Sequence, residues 1–206
     1  DVAPPPVMQF IDSLPAVKGG RAAVFVTWGG ASSGLALWQM AAALDAKGYT
    51  VVGAAKVLGL HSMMWQDSEP VGAGHPDEAD DAQVAAWVGK LAENGSTPLS
   101  LDALRYQKDA VEKDILERID APWKITPKTV DAEACTACGT CASVCPVGAI
   151  TLEPGPIIGD TCISCFSCIR ECPEEAIAPA MPLAKISTMI RERVKTFDEQ
   201  PPTQVW

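Results

Sequence analysis

Eight cysteines constrain this chain more than anything else in it. They fall in two copies of one spacing, Cys135-x2-Cys138-x2-Cys141-x3-Cys145-Pro146 and Cys162-x2-Cys165-x2-Cys168-x3-Cys172-Pro173, and none is left over. Three cysteines within seven residues wrap a tight loop around one centre. The fourth, three residues on, points away into the start of a helix, and the proline after it redirects the chain. This is the spacing of thiolate ligands for cubane iron–sulfur clusters, and written twice it predicts two [4Fe–4S] clusters. Zinc sites instead use two separated cysteine pairs, often with histidine. A disulfide framework suits a secreted chain, and no secretory signal is visible at the start. A redox C-x-x-C pair lies inside each run but leaves the other two cysteines unexplained.

The runs are halves of a repeat. CTACGTCASVCPVGAITL aligns with CISCFSCIRECPEEAIAP, and each Cys-Pro is followed by a short turn and then Ala-Ile, at Ala149-Ile150 and Ala176-Ile177. A unit this short buries no core alone, so the halves are expected to pack about a pseudo-twofold axis. Gly139, Thr140, Ala142 and Ser167 keep side chains off the centre and let backbone N–H groups approach sulfur.

Residues 128 to 180 resemble the bacterial two-cluster ferredoxins over the whole module and at every ligand position. In that family the fourth cysteine of each run serves the other cluster. The resemblance therefore implies Cys135, Cys138, Cys141 and Cys172 as one ligand set, and Cys162, Cys165, Cys168 and Cys145 as the second.

That module takes a quarter of the 206 residues, so the first 125 build something else. Val7, Phe10, Ile11 and Leu14 recur at helical spacing before Pro15. Residues 22–27 are a continuous apolar run that predicts a strand buried on both faces. It ends in Trp28-Gly29-Gly30. A helix is expected from about Ser33 to Lys47, closed by Gly48, and YTVVGAAKV reads as a second buried strand. This is a β-α-β unit, and open α/β sheets bind ligands at the carboxyl ends of their strands. A glycine pair there is also an ordinary turn.

The segment from Pro4 to about residue 95 is similar to the second half of a flavodoxin-like domain, and fusions of such a domain to a two-cluster ferredoxin form a known family. The resemblance implies an FMN contacted by Thr27, Trp28, Gly29 and Gly30, with Trp28 stacking on the ring. No segment matches the Ser/Thr-Gly-Asn loop that holds the FMN phosphate, and two of five sheet strands are legible. The missing half is therefore expected in an upstream segment or a partner chain, the remaining alternative being a dock without flavin.

His61, Met63, Met64 and Trp65 follow the second strand and are expected mainly to cover a core; His75 is expected to be exposed. A capped helix is read over PDEADDAQVAAWVGKLAEN, with Val84, Trp87, Val88 and Leu91 inward and Gly95 as its stop. A further helix is read from Leu101 to Ile119, with Leu101, Leu104, Val111, Ile115 and Ile119 on one stripe. A last helix runs from Met181 to Phe197 with Arg191, Arg193 and Lys195 near its end, where they suit the helix dipole.

The expected fold class is thus α/β, a partial flavodoxin-like domain, plus a small α+β ferredoxin-type domain. The expected boundaries are 1–119, a linker at 120–134, the cluster domain at 135–180, and a C-terminal helix and tail at 181–206. A net charge of −10 speaks against nucleic-acid binding and suits a basic redox protein partner. No apolar stretch is long enough to span a membrane. Reduced thiols used as ligands suit a reducing, oxygen-poor cytoplasm. Function is expected to be electron transfer, either as an iron–sulfur flavoprotein that is an oxidoreductase, or as a non-enzymatic ferredoxin subunit of a larger redox complex.

Overall fold

The computed structural model describes residues 1–93, 97–117 and 119–206. In chain order its elements begin α1 (Pro5–Ser13), β1 (Gly20–Trp28), α2 (Ala36–Ala46), β2 (Tyr49–Leu58), α3 (Glu78–Ala92) and α4 (Asp109–Leu116). There follow β3 (Lys128–Val130), α5 (Thr140–Ser143), β4 (Ile150–Thr151), β5 (Ile157–Ile158), α6 (Ser167–Arg170), β6 (Ile177–Pro179), α7 (Leu183–Phe197) and β7 (Gln204–Val205). The fold is mixed α/β with small open sheets. It divides into two compact units, one of 1–61, 69–121 and 190–206, the other of 62–68 and 122–189.

The first unit is built on β1 and β2, which pair in parallel along their whole length with one register shift at Ala22/Ala23. β2 is buried on both faces from Gly53 onward, as its sequence predicts. β1 is not. Arg21, Ala23, Phe25 and Thr27 are exposed, and only Val24 and Trp28 are buried. An unbroken apolar run says nothing about whether a layer covers both faces, and here one face of β1 is uncovered. On the covered face Val24, Val51 and Ala54 pack with Leu37, Met40, Ala41 and Leu44 of α2 and with Ile11 of α1. Gly53 lets α3 lie close on β2, since a Cβ there would meet Leu91 Cδ2 at 2.8 Å and Trp87 Nε1 at 3.0 Å.

The start of α3 is a capping box. The Asp77 side chain accepts from the N–H groups of Ala79 and Asp80, and the Asp80 carboxylate accepts from Asp77 N–H. Trp87 is buried but Val88 is exposed, so the expected inward face is narrower. The expected stop, Gly95, lies outside the described residues. The helix expected over 101–119 is two pieces, a 3-10 turn at Leu101–Leu104 and α4. Between them Gln107 turns inward and donates to Gly34 O, which a continuous helix would not allow. Its apolar stripe is kept in that Leu104, Val111 and Ile115 are buried.

The tail is structural. β7 pairs antiparallel with β2 at Ala55 and Lys56, making a third strand. The Trp206 ring stacks on Tyr106 at 5.0 Å, and its carbonyl accepts from Trp87 Nε1. Arg193 donates twice to the Asp1 carboxylate and Arg191 donates to Glu69 O, so these cations serve their own chain.

In the second unit β3 pairs with β6 and β4 pairs with β5, both antiparallel. Each pair takes one strand preceding a cysteine run and one following the other run. β3 falls inside the stretch expected as a linker. Among the described residues no helix is long and apolar enough to cross a membrane.

Candidate metal centre

The cysteine repeat is also a repeat of backbone conformation. Left-handed φ values occur at Ala137 (55°) and Ser164 (57°), at Gly139 (80°) and Phe166 (65°), and at Gly148 (60°) and Glu175 (49°). Each pair is 27 positions apart, the same offset as Cys135 to Cys162. Left-handed residues are uncommon outside glycine, so four non-glycine cases at matched positions mark a built turn. Such alternation turns successive N–H groups inward and makes the concave nests that bind anions, iron–sulfur sites included. The short helices α5 and α6 start directly after the second left-handed residue of each loop.

The thiols are arranged the same way twice. Ala149 N–H donates to Cys145 Sγ at 3.2 Å, and Ala176 N–H to Cys172 Sγ at 3.3 Å. Cys138 Sγ lies 3.3 Å from Thr140 Oγ1, and Cys165 Sγ 3.5 Å from Ser167 Oγ. The Ala-Ile pairs that follow each run are buried. None of the eight cysteines is in a disulfide.

One cavity is lined by Cys135, Cys138 and Cys141 together with Cys172 from the second run, and by Gly139, Glu174 and Ala176. Around Cys168 the interacting groups are Lys128, Cys165, Cys162 and Cys145, the last from the first run. Burial pushes the Cys168 and Cys141 thiols up, and neighbouring cysteines add to it. Cys138 is exposed, and the Thr140 hydroxyl holds its thiol below the ordinary range. Eight free thiols in two converging groups, with amide N–H groups on sulfur, fit the donor chemistry of cubane clusters.

Lys128 has no counterpart in the sequence reading. Its Nζ donates to Cys162 Sγ at 3.3 Å and to Thr126 O at 3.0 Å, and it lies 5.3 Å over the Phe166 ring. Its signal was only a lysine seven positions before a cysteine run.

The other expected site, Thr27 to Gly30, lies in the first unit. Thr27 is exposed and Trp28 is 7% exposed. The Trp28 indole donates to Pro202 O at 2.7 Å, and Lys56 Nζ sits 4.9 Å over its ring. A Cβ on Gly29 would meet His61 at 2.6 Å, and one on Gly30, at φ +80°, would meet Val71 Cγ1 at 2.6 Å. The chain's own residues therefore pack on this loop. Burial pushes His61 down to about 4. Met64 is buried, and Trp65 meets the Phe166 ring edge-on at 6.3 Å. His75 is partnered, its Nδ1 lying 2.6 Å from Asp80 Oδ2.

Beside that loop is an ion pair the sequence did not disclose. Lys56, fully buried in β2, reaches Glu199 Oε1 at 2.6 Å, with the Tyr106 ring 4.7 Å from its Nζ. Glu199 also accepts from Ser33 N–H, the Ser33 hydroxyl and Gln107 Nε2. Burial opposes its charge, but the bonds from Lys56 and Ser33 win and hold the carboxyl below its usual range. The only sequence signal was one lysine in an otherwise apolar strand.

Residues 128–151 match the 4Fe-4S binding domain family, Fer4, which spans β3, the first cysteine run and β4. No curated protein matches the chain. The matched domain and the clustered cysteines suit iron–sulfur electron transfer.

Proposed function

We propose that the chain relays single electrons through two [4Fe–4S] clusters, with Cys135, Cys138, Cys141 and Cys172 holding one and Cys162, Cys165, Cys168 and Cys145 the other. The observation that carries this reading is the cavity in which Cys172 joins the three cysteines of the other run. When bound, such clusters supply one-electron redox chemistry at a potential set by hydrogen bonds and solvent. The chain's own contribution is to hold the thiolates, to aim amide N–H groups at them, and to leave Cys138 exposed for a redox protein partner. Acidic residues outnumber basic ones across the chain, which would steer a basic patch on that partner. A reducing compartment such as the cytoplasm would keep the thiols available.

For the first unit we adopt the dock rather than the flavin site. The loop Thr27–Gly30 does close the carboxyl end of a parallel β-α-β pair, where FMN would be sought. Trp28, however, is committed to Pro202 and Lys56. An FMN there would need that tail contact released and the rest of a flavodoxin-like domain supplied by another segment or chain.

The test is iron and flavin released by acid from protein purified without oxygen. About eight irons per chain and no flavin support the relay. About one flavin per eight irons would restore the flavoprotein reading, and about four irons would end the two-cluster one. Cys172→Ala should lose roughly half the iron. Full retention of iron in that variant counts against the shared ligand sets.

A further inference from the structure

The two cysteine sets repeat in backbone but not in charge. Lys128 sits beside the second set, its Nζ fixed by Thr126 O, Cys162 Sγ and the Phe166 ring. Thr126 is itself held, since its N–H donates to Ser164 Oγ at 2.9 Å. Phe166 is 1% exposed, so the platform under the ammonium does not move freely. At the repeat-equivalent position, 27 further on, stands Gly155. The first set has the opposite asymmetry. Its cavity is lined by Glu174, whose equivalent 27 positions earlier is Val147. Of the remaining polar groups on the sulfurs, the Thr140 and Ser167 hydroxyls and the Ala149 and Ala176 amides are matched in both halves, while Ser164 N–H adds a neutral donor to Cys162 Sγ at 3.4 Å in the second set.

We infer that Lys128 sets the redox potential of the second cysteine set, favouring added negative charge there, while Glu174 disfavours it at the first. This rests on the two-cluster reading proposed above. The step concerned is the gain of one electron from a low-potential one-electron donor. It makes and breaks no bond, so the fixed charge nearest the sulfurs acts on it directly. A point charge at contact distance from one sulfur, partly shielded from water, is felt far less by the other set. The effect is therefore selective, which a change in overall net charge would not be. The second set is also the more enclosed, with Cys162 and Cys168 both buried. Burial by itself penalises added charge, and Lys128 opposes that penalty.

The experiment is a reductive titration of the holoprotein with dithionite followed by electron paramagnetic resonance, on wild type, Lys128→Met, Lys128→Arg and Glu174→Gln. Cys145→Ala, which removes the fourth ligand of the second set, identifies which wave belongs to it. Lys128→Met keeps the packing over Phe166 and removes the charge. It should make the second set's reduction at least tenfold less favourable, about 59 mV for a one-electron couple, with the other wave unmoved. Lys128→Arg should stay near wild type, and Glu174→Gln should raise the first set's wave alone. The inference is overturned if Lys128→Met leaves both waves in place, or shifts both equally. If Lys128→Met loses iron, Lys128→Gln and Glu174→Gln decide by the same criteria. An iron count of about four would instead sink the two-cluster reading, a separate result obtained before any titration.

Discussion

Replacing Glu199 by glutamine should be the most damaging conservative substitution in the first unit. Lys56 has no exposed surface, and the Glu199 side chain is 5% exposed. Removing one partner of a buried pair leaves an uncompensated charge, at about 3–5 kcal/mol. The aromatic faces of Trp28 and Tyr106 remain against the ammonium, but they are present in the native protein too and offset nothing. The amide also turns a donor toward Ser33 N–H or Gln107 Nε2, so one good acceptor is lost within the same figure. With a urea slope of roughly 2 kcal/mol/M, a loss of about 4 kcal/mol lowers the unfolding midpoint by about 2 M. The assay is urea unfolding of the holoprotein by tryptophan fluorescence, since Trp28 borders the pair. Lys56→Met combined with Glu199→Gln removes both charges and should recover much of the loss, because neutral replacement of a buried pair is often tolerated. A shift under roughly 0.5 M for the single variant at unchanged slope, or no recovery in the double, would refute the reasoning.

Two further outcomes are expected. Gly48→Ala should destabilise by about 2–3 kcal/mol, because φ is +84° and a Cβ would lie 2.0 Å from Val17 O. Gly74→Ala, at φ +78° with nothing within 4 Å, should cost only about 1–2 kcal/mol; equal midpoint losses in the two would show that the Val17 contact is not what Gly48 serves. The hydrogen bond between His75 and Asp80 raises His75 above 6.5 and, against burial, helps lower Asp80 from 3.8 to about 2. The His75 contribution is present below pH 6.5 and lost as pH rises through its raised value. The Asp80 contribution is present above pH 3.8 and lost as pH falls toward 2. His75→Gln should therefore lower the thermal midpoint most near pH 5 and least near pH 9, and a pH-independent difference would dismiss the pair.

What was legible in the sequence was local. The cysteine runs could be read because the ligand spacing, the left-handed turns and the Ala-Ile strands all fall within some twenty residues of one another. The same holds for the Asp77–Asp80 cap and for the buried strand β2. What was not legible depended on partners far along the chain. β1 looks buried because its residues are apolar, yet Phe25 is 46% exposed since no described layer covers that face. The break before α4 follows from Gln107 meeting Gly34 and Glu199, which no periodicity records. Two residues, Gln204 and Val205, are too few to show a strand's alternation, and their place on β2 comes from pairing alone. The charge difference between the cysteine sets was hidden for a like reason, as Lys128 lies on a strand outside both runs.

The docked tail also fixes an order of assembly. The strand that completes the first sheet, and the carboxylate that neutralises Lys56, are both made after the last cysteine. On the ribosome the early α/β segment must wait, with a lysine ammonium facing an apolar interior, while the whole thiol-rich stretch is synthesised. The cysteines thus emerge, and can be loaded with iron, before the unit that precedes them in sequence is able to close. Chains truncated short of residue 199 should accordingly show a protease-sensitive first unit, and chains released through Trp206 a resistant one.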